Sequence, residues 1–320
     1  MLDLRKLRML TELDRLGTLS AVAAALHLTA PGISMQIAAL ERETGLPLTE
    51  RQGRNVVLTP AGRLLADHGR DIMDQLSVAE MEVAALREGS SGTYRLAAFP
   101  SAARTVVARA WREILSGTGT YPSLELVEME PQDALPALAA GEVDAALTHS
   151  YSNAAPDVRP GLYMELLGTE PVVLAARADH DVFSRLPEDR GTGALTPEPV
   201  DLRLLATAAW IIPNRRWACC EMVERACGMA GFAPLAAAEA TDFSTQLALV
   251  SAGVGVALIP SLALAAVPDD VALRPLAQPV SRSLFLARRT SARADAGSRR
   301  LAELLARATT AALNDSAPRP

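Results

Sequence analysis

The sequence predicts a two-part chain: an N-terminal α-helical winged helix-turn-helix followed by a larger α/β region. Three observations predict it. Thr29 to Gly45 has the start, apolar stripe and stop of one compact helix. Two strand candidates flanking a Gly/Asn turn follow at residues 48–58. Beyond residue 92 the pattern changes to strands and helices in alternation.

In the first stretch Thr29 is an N-cap candidate, and Pro31 fits the first turn, where its missing N–H costs nothing. Gly45 supplies the left-handed stop. Between them Ile33, Ile37 and Leu40 recur at i, i+4 and i+7, which builds one apolar stripe. At about 100° per residue, Pro31, Ser34, Met35, Ala38 and Arg42 point the other way, with Gln36 at the edge of the buried stripe. Just before, Thr18 caps a short helix, Leu19 to Leu26, whose alanines permit close packing; His27-Leu28 joins the two. This is the sequence form of a helix-turn-helix, whose second helix enters the major groove. Thr29, Ala30, Pro31, Ser34, Met35 and Gln36 are therefore the candidate DNA-reading residues. The hairpin reads as a wing, with Arg51 at its base and Arg54 at its tip suited to phosphate contacts.

Thr59-Pro60 opens a further helix, running to about Arg87. Leu65, Ile72, Ala79 and Leu86 recur every seven residues, with Gly69, Leu76 and Val83 interleaved. That is a heptad seam, which assigns Leu65, Ile72, Leu76, Val83 and Leu86 to dimerisation. Gly89-Ser90-Ser91-Gly92 is the linker. Strands are then expected at Tyr94–Ala98, Leu124–Met129 and Val143–Leu147, and the chain continues through Gly161–Gly168 to a run long enough for one buried strand at Val172–Ala176. Further strands follow at Ala209–Ile212, Leu235–Ala240, Gly255–Ile259, Val271–Arg274 and Ser283–Ala287. Helices are expected at Ser101–Leu115, Gln132–Ala140, Val200–Ala206, Arg216–Ala230, after Asp242, and from Asp295 to about Ala312. Such alternation implies a mostly parallel sheet with helices on its faces. The last two strands are expected to return to the first sheet, and residues 186–199 to form an irregular loop.

The N-terminal stretch resembles the LysR-type transcriptional regulators. The match runs through Leu4-Arg5-Lys6-Leu7, Ala23 to Leu26, Pro31 to Ile37, Leu40-Glu41, Leu46-Pro47-Leu48, Arg51 and Leu58 to Gly62, and a second dense match covers residues 242–260. Ala30, Met35 and Thr49 depart from the usual family residues; the first two can offer DNA only apolar contact, for example to a thymine methyl. The resemblance implies a C-terminal effector domain of two α/β lobes, periplasmic-binding-protein-like, crossed twice by the chain. Its expected boundaries are 1–58 for DNA binding, 59–88 for the dimerisation helix, 89–92 for the hinge and 93–312 for the effector domain, with a tail at 313–320. Within the effector domain, lobe I spans about 93–161 and 268–312, and lobe II about 162–267.

By the same resemblance, Ser101, Ala102, Thr148, His149, Pro213, Asn214 and Thr241 line an effector cleft. Helix N-termini there suit an anionic small molecule. The hydroxyls of Ser101 and Thr148, expected to be only modestly buried, would hold one anionic group between them. The implied partners are double-stranded promoter DNA, that effector, further copies of the chain in a dimer or tetramer, and RNA polymerase.

Composition limits the alternatives. Net charge is −6, and residues 1–58 carry seven basic against six acidic side chains, so a nucleic-acid role must rest on where arginines sit rather than on bulk charge. No nucleophile–base pair, metal cluster or glycine-rich phosphate loop supports an enzyme, and no metal or cofactor is expected. The alternative of a solute-binding or enzymatic α/β protein with an incidental N-terminal domain lacks such support. The N-terminus shows no signal-peptide pattern. The apolar run Leu247–Val267 is broken by Gly253, Gly255 and Pro260, which argues against a membrane span and for a cytoplasmic protein. Cys219, Cys220 and Cys227 fit no disulfide framework. Cys220 and Cys227 lie seven residues apart on one predicted helix, about 10 Å by helical rise, too far for a bridge. Peroxide-sensing relatives keep redox cysteines in this lobe, so a thiol sensor is the alternative to buried structural cysteines.

Overall fold

The computed structural model describes residues 2–52, 55–88, 93–117, 121–154, 159, 161–184, 198–290, 292 and 295–316. The chain divides into two compact units, 1–87 and 88–320.

In the first unit, α1 (Leu4–Leu16), α2 (Leu19–Ala25) and α3 (Ala30–Thr44) precede a hairpin of β1 (Thr49–Gln52) and β2 (Asn55–Leu58). Side chains cap each helix start: Asp3 accepts from the Arg5 N–H, Thr18 from Ala21 and Thr29 from Gly32. Each such cap is worth about 1 kcal/mol. α3 ends at Gly45, whose φ of 70° is the left-handed region that a side chain resists. Ile33, Ile37 and Leu40 bury their stripe against Leu10, Leu13, Val22, Leu48 and Leu58. The Glu41 carboxylate accepts from the N–H groups of Leu48 and Thr49, both at 2.9 Å, and so ties the hairpin to α3.

The long α4 (Pro60–Glu88) follows. Its first turns do not belong to an open seam. Leu65 packs on the helix-turn-helix core. At Gly69 an added Cβ would come within 2.6 Å of Thr11 Oγ1 and 3.0 Å of Leu7 Cγ, so the glycine is what lets α4 lie close on α1. Arg70 fastens the crossing with a 2.7 Å ion pair to Asp14. Sequence periodicity shows that a face is apolar but not what covers it. Here the first half of the predicted heptad is spent within the unit. Ile72 and Leu76 are 40% and 42% exposed, and the side chains of Val83 and Leu86 lie outside the described residues.

The second unit begins with β3 (Thr93–Ala98). A continuous helix comes next, made of α5 (Pro100–Ala102), a π-helical turn (Ala103–Val107) and α6 (Ala108–Leu115). Then come β4 (Ser123–Glu128), α7 (Pro131–Ala139), β5 (Ala145–Tyr151), β6 (Leu162–Arg177) and α8 (Asp181–Ser184). They are followed by β7 (Ala209–Ile212), α9 (Ala218–Met229), β8 (Leu235–Glu239), α10 (Phe243–Ser251) and β9 (Ala257–Pro260). The unit closes with β10 (Val271–Arg274), β11 (Ser281–Arg289) and α11 (Ala296–Ser316). The helix expected at Val200–Ala206 is a 3-10 turn, Leu202–Leu205.

Two lobes emerge from the pairing. Lobe I orders its strands β4-β3-β5-β11-β6. Lobe II takes the far half of β6, flanked by β10 and β9, and reaches the parallel pair β7 and β8 through a bridge from Val256 to Trp210. Three expectations change. The stretches around Gly168 and Val172 are one 16-residue strand shared by both lobes. Consequently residues 162–171 pair with β11 in lobe I. Of the late strands only β11 returns to lobe I, because β10 pairs with residues 174–177 of β6. The sheet is also mixed: β3 is parallel to β4 and β5, whereas β11 runs antiparallel to β5 and β6. Strands arriving from the other lobe enter from the opposite end, which a local pattern cannot reveal.

Candidate nucleic-acid interface and effector cleft

On α3 the candidate reading face is solvent-facing. Pro31, Ser34, Met35 and Gln36 are exposed, and Ala30 is partly buried against the core. Met35 is 70% exposed. Thr29 acts through its cap. Arg51 is exposed on β1, and Arg54 lies outside the described residues. Lys6 is tied in an ion pair to Glu43.

The expected cleft residues are not gathered into one set. Ser101 is buried, and its Oγ accepts a 3.0 Å hydrogen bond from Arg282 Nη2. Thr148 and His149 do not follow a strand; they lie inside β5, which the antiparallel pairing of Arg282 with Tyr151 extends beyond Leu147. Alternation then sends the two side chains to opposite faces of the sheet. Ala146, on the Thr148 face, packs with α7. His149 shares the other face with Tyr151, ring centroids 5.2 Å apart, and with Phe99 at 4.7 Å. One group therefore cannot be held between the Ser101 and Thr148 hydroxyls as expected, and both residues are fully rather than modestly buried. Ala102 is buried in α5, Pro213 is buried, Asn214 Oδ1 closes a turn by accepting from the Arg216 N–H, and Thr241 is exposed beside Asp242. Asp242 caps α10 through the N–H groups of Ser244 and Thr245.

What the sequence reading missed is the centre of the junction. Tyr151, Arg282 and Glu170 stand directly opposite one another across β5, β11 and β6. Arg282 and Glu170 are both fully buried and paired at 2.6 Å. Arg282 also donates to Ser101 of lobe I and lies 4.9 Å over the Phe99 ring. Glu170 accepts at 3.0 Å from the hydroxyl of Ser261, which follows β9 in lobe II. A four-residue chain, Ser101–Arg282–Glu170–Ser261, thus links the lobes. A second link lies at Arg104, which pairs with Asp242 at 3.4 Å and donates to Ser244 Oγ at 2.7 Å. The readable signal is an arginine, Arg282, in step with Leu284 and Leu286 at the alternate positions of one strand.

Burial, opposed by the Glu130 carboxylate 3.7 Å from its Nε2, holds the His149 imidazole below its ordinary pKa. Its Nδ1 and Thr148 Oγ1 are buried without a protein partner. The three cysteines are buried and free. Burial pushes the Cys219 and Cys227 thiols up to about 12 and raises Cys220 as well. Such thiols stay protonated and are poor nucleophiles, the opposite of what a thiol sensor needs. Among the described residues no group of His, Cys, Asp and Glu could hold a metal ion, and no single helix is long and apolar enough to cross a membrane.

A winged helix-turn-helix on a long helix, with a two-lobed α/β domain after it, defines a DNA-binding regulator that carries a sensor domain. Residues 4–63 match the family described as bacterial regulatory helix-turn-helix protein, lysR family, and residues 87–310 match the LysR substrate binding domain. The chain belongs to the LysR family of DNA-binding transcriptional regulators and has the family's effector-binding domain. It is 32% identical to the regulator GbpR of Rhizobium radiobacter over 64% of this chain and 63% of that protein. It is 30% identical to a probable hydrogen peroxide-inducible genes activator of Streptomyces viridosporus over 82% of this chain and 81% of the relative. In fold it resembles full-length BenM (TM-score 0.56, 21% identity, 97% of each chain). It also resembles CbnR complexed with its target DNA (TM-score 0.53, 22% identity, 96% of this chain and 100% of that one).

Proposed function

We propose that the protein reads promoter DNA with α3 in the major groove, Arg51 and Arg54 on phosphates, and two copies joined through the outer half of α4. The observation that carries the DNA reading is the solvent-facing row Pro31, Ser34, Met35 and Gln36 on a helix whose other side is locked into the core. The exposed Ile72 and Leu76 support pairing through α4. A small effector acts between the lobes in the cytoplasm, and RNA polymerase is the downstream partner. Arg282 is committed to Glu170 and Arg104 to Asp242. An anionic effector therefore works by displacing one of those carboxylates, which loosens the link between the lobes. DNA and effector are then coupled reciprocally, by about 5–150-fold in affinity.

The test is a footprint of the full chain on the DNA upstream of its own coding sequence. It is repeated with each small molecule that raises the melting temperature in a metabolite screen. A stabilising compound should change DNA affinity, and DNA should change affinity for that compound by the same factor. Stabilising compounds that leave the footprint untouched would remove the cleft from the switch. In the same series, Leu76→Glu should sediment as a monomer and lose the extended footprint, since it places a charge in the seam. Unchanged assembly would move pairing to other surfaces.

A further inference from the structure

At 100° per residue, Pro31, Ser34, Met35, Ala38 and Arg42 fall within about a third of the circumference of α3. That face offers a pyrrolidine ring, a hydroxyl, a thioether, a methyl group and, only in the last turn, a guanidinium. Residues 30–39 contain no arginine, lysine or asparagine. Guanine is read in the major groove by Arg or Lys donating to O6 and N7. The first turns of α3 carry neither. What they present is Met35, 70% exposed, with Pro31 and Ala38 beside it. A single exposed methionine is ordinary on a protein surface. This one lies on the face of the helix that the family's function turns toward DNA, and Arg42 and Arg51 supply exposed cations on α3 and the adjoining strand.

We infer that Met35 determines specificity at one base pair by packing on the 5-methyl group of thymine. The inference rests on α3 occupying the major groove, the groove in which that methyl is displayed. The thioether suits the role: it is flexible and polarisable, and can close on a small apolar knob without a fixed geometry. Burying one methyl from water on each half-site favours thymine over the otherwise identical uracil by about four-fold, from the free energy of one buried carbon group. Two half-sites together should give about fifteen-fold.

The experiment uses the full chain and a random-sequence duplex library. The enriched duplex is resynthesised with uracil replacing thymine, one symmetric pair of positions at a time, and with cytosine or 5-methylcytosine there. The expected result is one pair of positions where uracil weakens binding by the factor above and 5-methylcytosine binds more tightly than cytosine. Met35→Ala should bring the thymine-to-uracil ratio at that position to about one while the duplex is still bound and the melting temperature is unchanged. Met35→Arg should shift the preferred base there to guanine. A parent protein indifferent to uracil at every position, or a Met35→Ala variant that keeps the discrimination, overturns the inference and leaves DNA reading by α3 standing. No enriched duplex at all would overturn both.

Discussion

The exposed face of α3 and the buried centre of the lobe junction break the usual rule of burial in opposite senses. On α3 a large apolar side chain, Met35, stands 70% exposed to solvent. At the junction a guanidinium and a carboxylate, Arg282 and Glu170, are taken out of water, paired with each other and hydrogen-bonded to Ser101, Ser261 and the Leu262 N–H. The first arrangement costs the isolated protein little, and on the proposed reading its partner is DNA. The second is expensive unless every group is answered from within. A recognition surface can therefore be changed without harm to the fold, whereas a junction of this kind cannot lose one member alone.

The largest expected effect follows from that asymmetry. Glu170→Ala leaves a fully buried guanidinium without its counter-charge and should destabilise the effector domain by about 3–5 kcal/mol. Met35→Ala should stay within about 0.5 kcal/mol of the parent, as surface changes do. Chemical denaturation of both variants measures the contrast. If Glu170→Ala melts like the parent, the pair does not bind the lobes together. Glu170→Gln, which keeps an oxygen for Arg282 but not the charge, should fall between.

The smaller effect is in pH. Burial holds the His149 pKa in the folded protein below the unfolded value of 6.5. Above that value the ring is neutral in both states and its contribution is constant. As pH falls through 6.5, the unfolded chain takes up a proton that the folded one refuses, and stability drops. The slope can be no steeper than about 1.36 kcal/mol per pH unit, the limit for one proton. His149→Leu should flatten that slope. An equal slope in the variant would assign it to other groups.

The two regions also differ in how much of them the sequence discloses. Around α3 everything needed is local: Thr29 caps it, Gly45 ends it, and Ile33, Ile37 and Leu40 name the buried side of the fifteen-residue helix between them. Its exposed residues follow by subtraction. At the junction the partners are 112 residues apart, and their meeting depends on which strand lies beside which. No local period shows that β5 continues through Thr148 and His149, because the neighbour that extends it, β11, comes more than a hundred residues later. The heptad on α4 fails in between. Its spacing was legible, but whether Leu65 and Gly69 face a second copy or α1 is a question of tertiary packing.

The unbroken β6 has a mechanical consequence. Its sixteen residues make about 50 Å of extended backbone at ~3.3 Å per residue, gripped by one sheet at each end. Two panels fixed to one rod cannot swing apart like a door. They turn about its axis, and the rod resists as a spring in torsion. The handover comes after Pro171, which has no N–H for a ladder, and the pairing of β6 with β11 slips just before Gly168, between Leu284 and Phe285. A turn of one lobe against the other about that strand would reach the far ends of the domain as an angle.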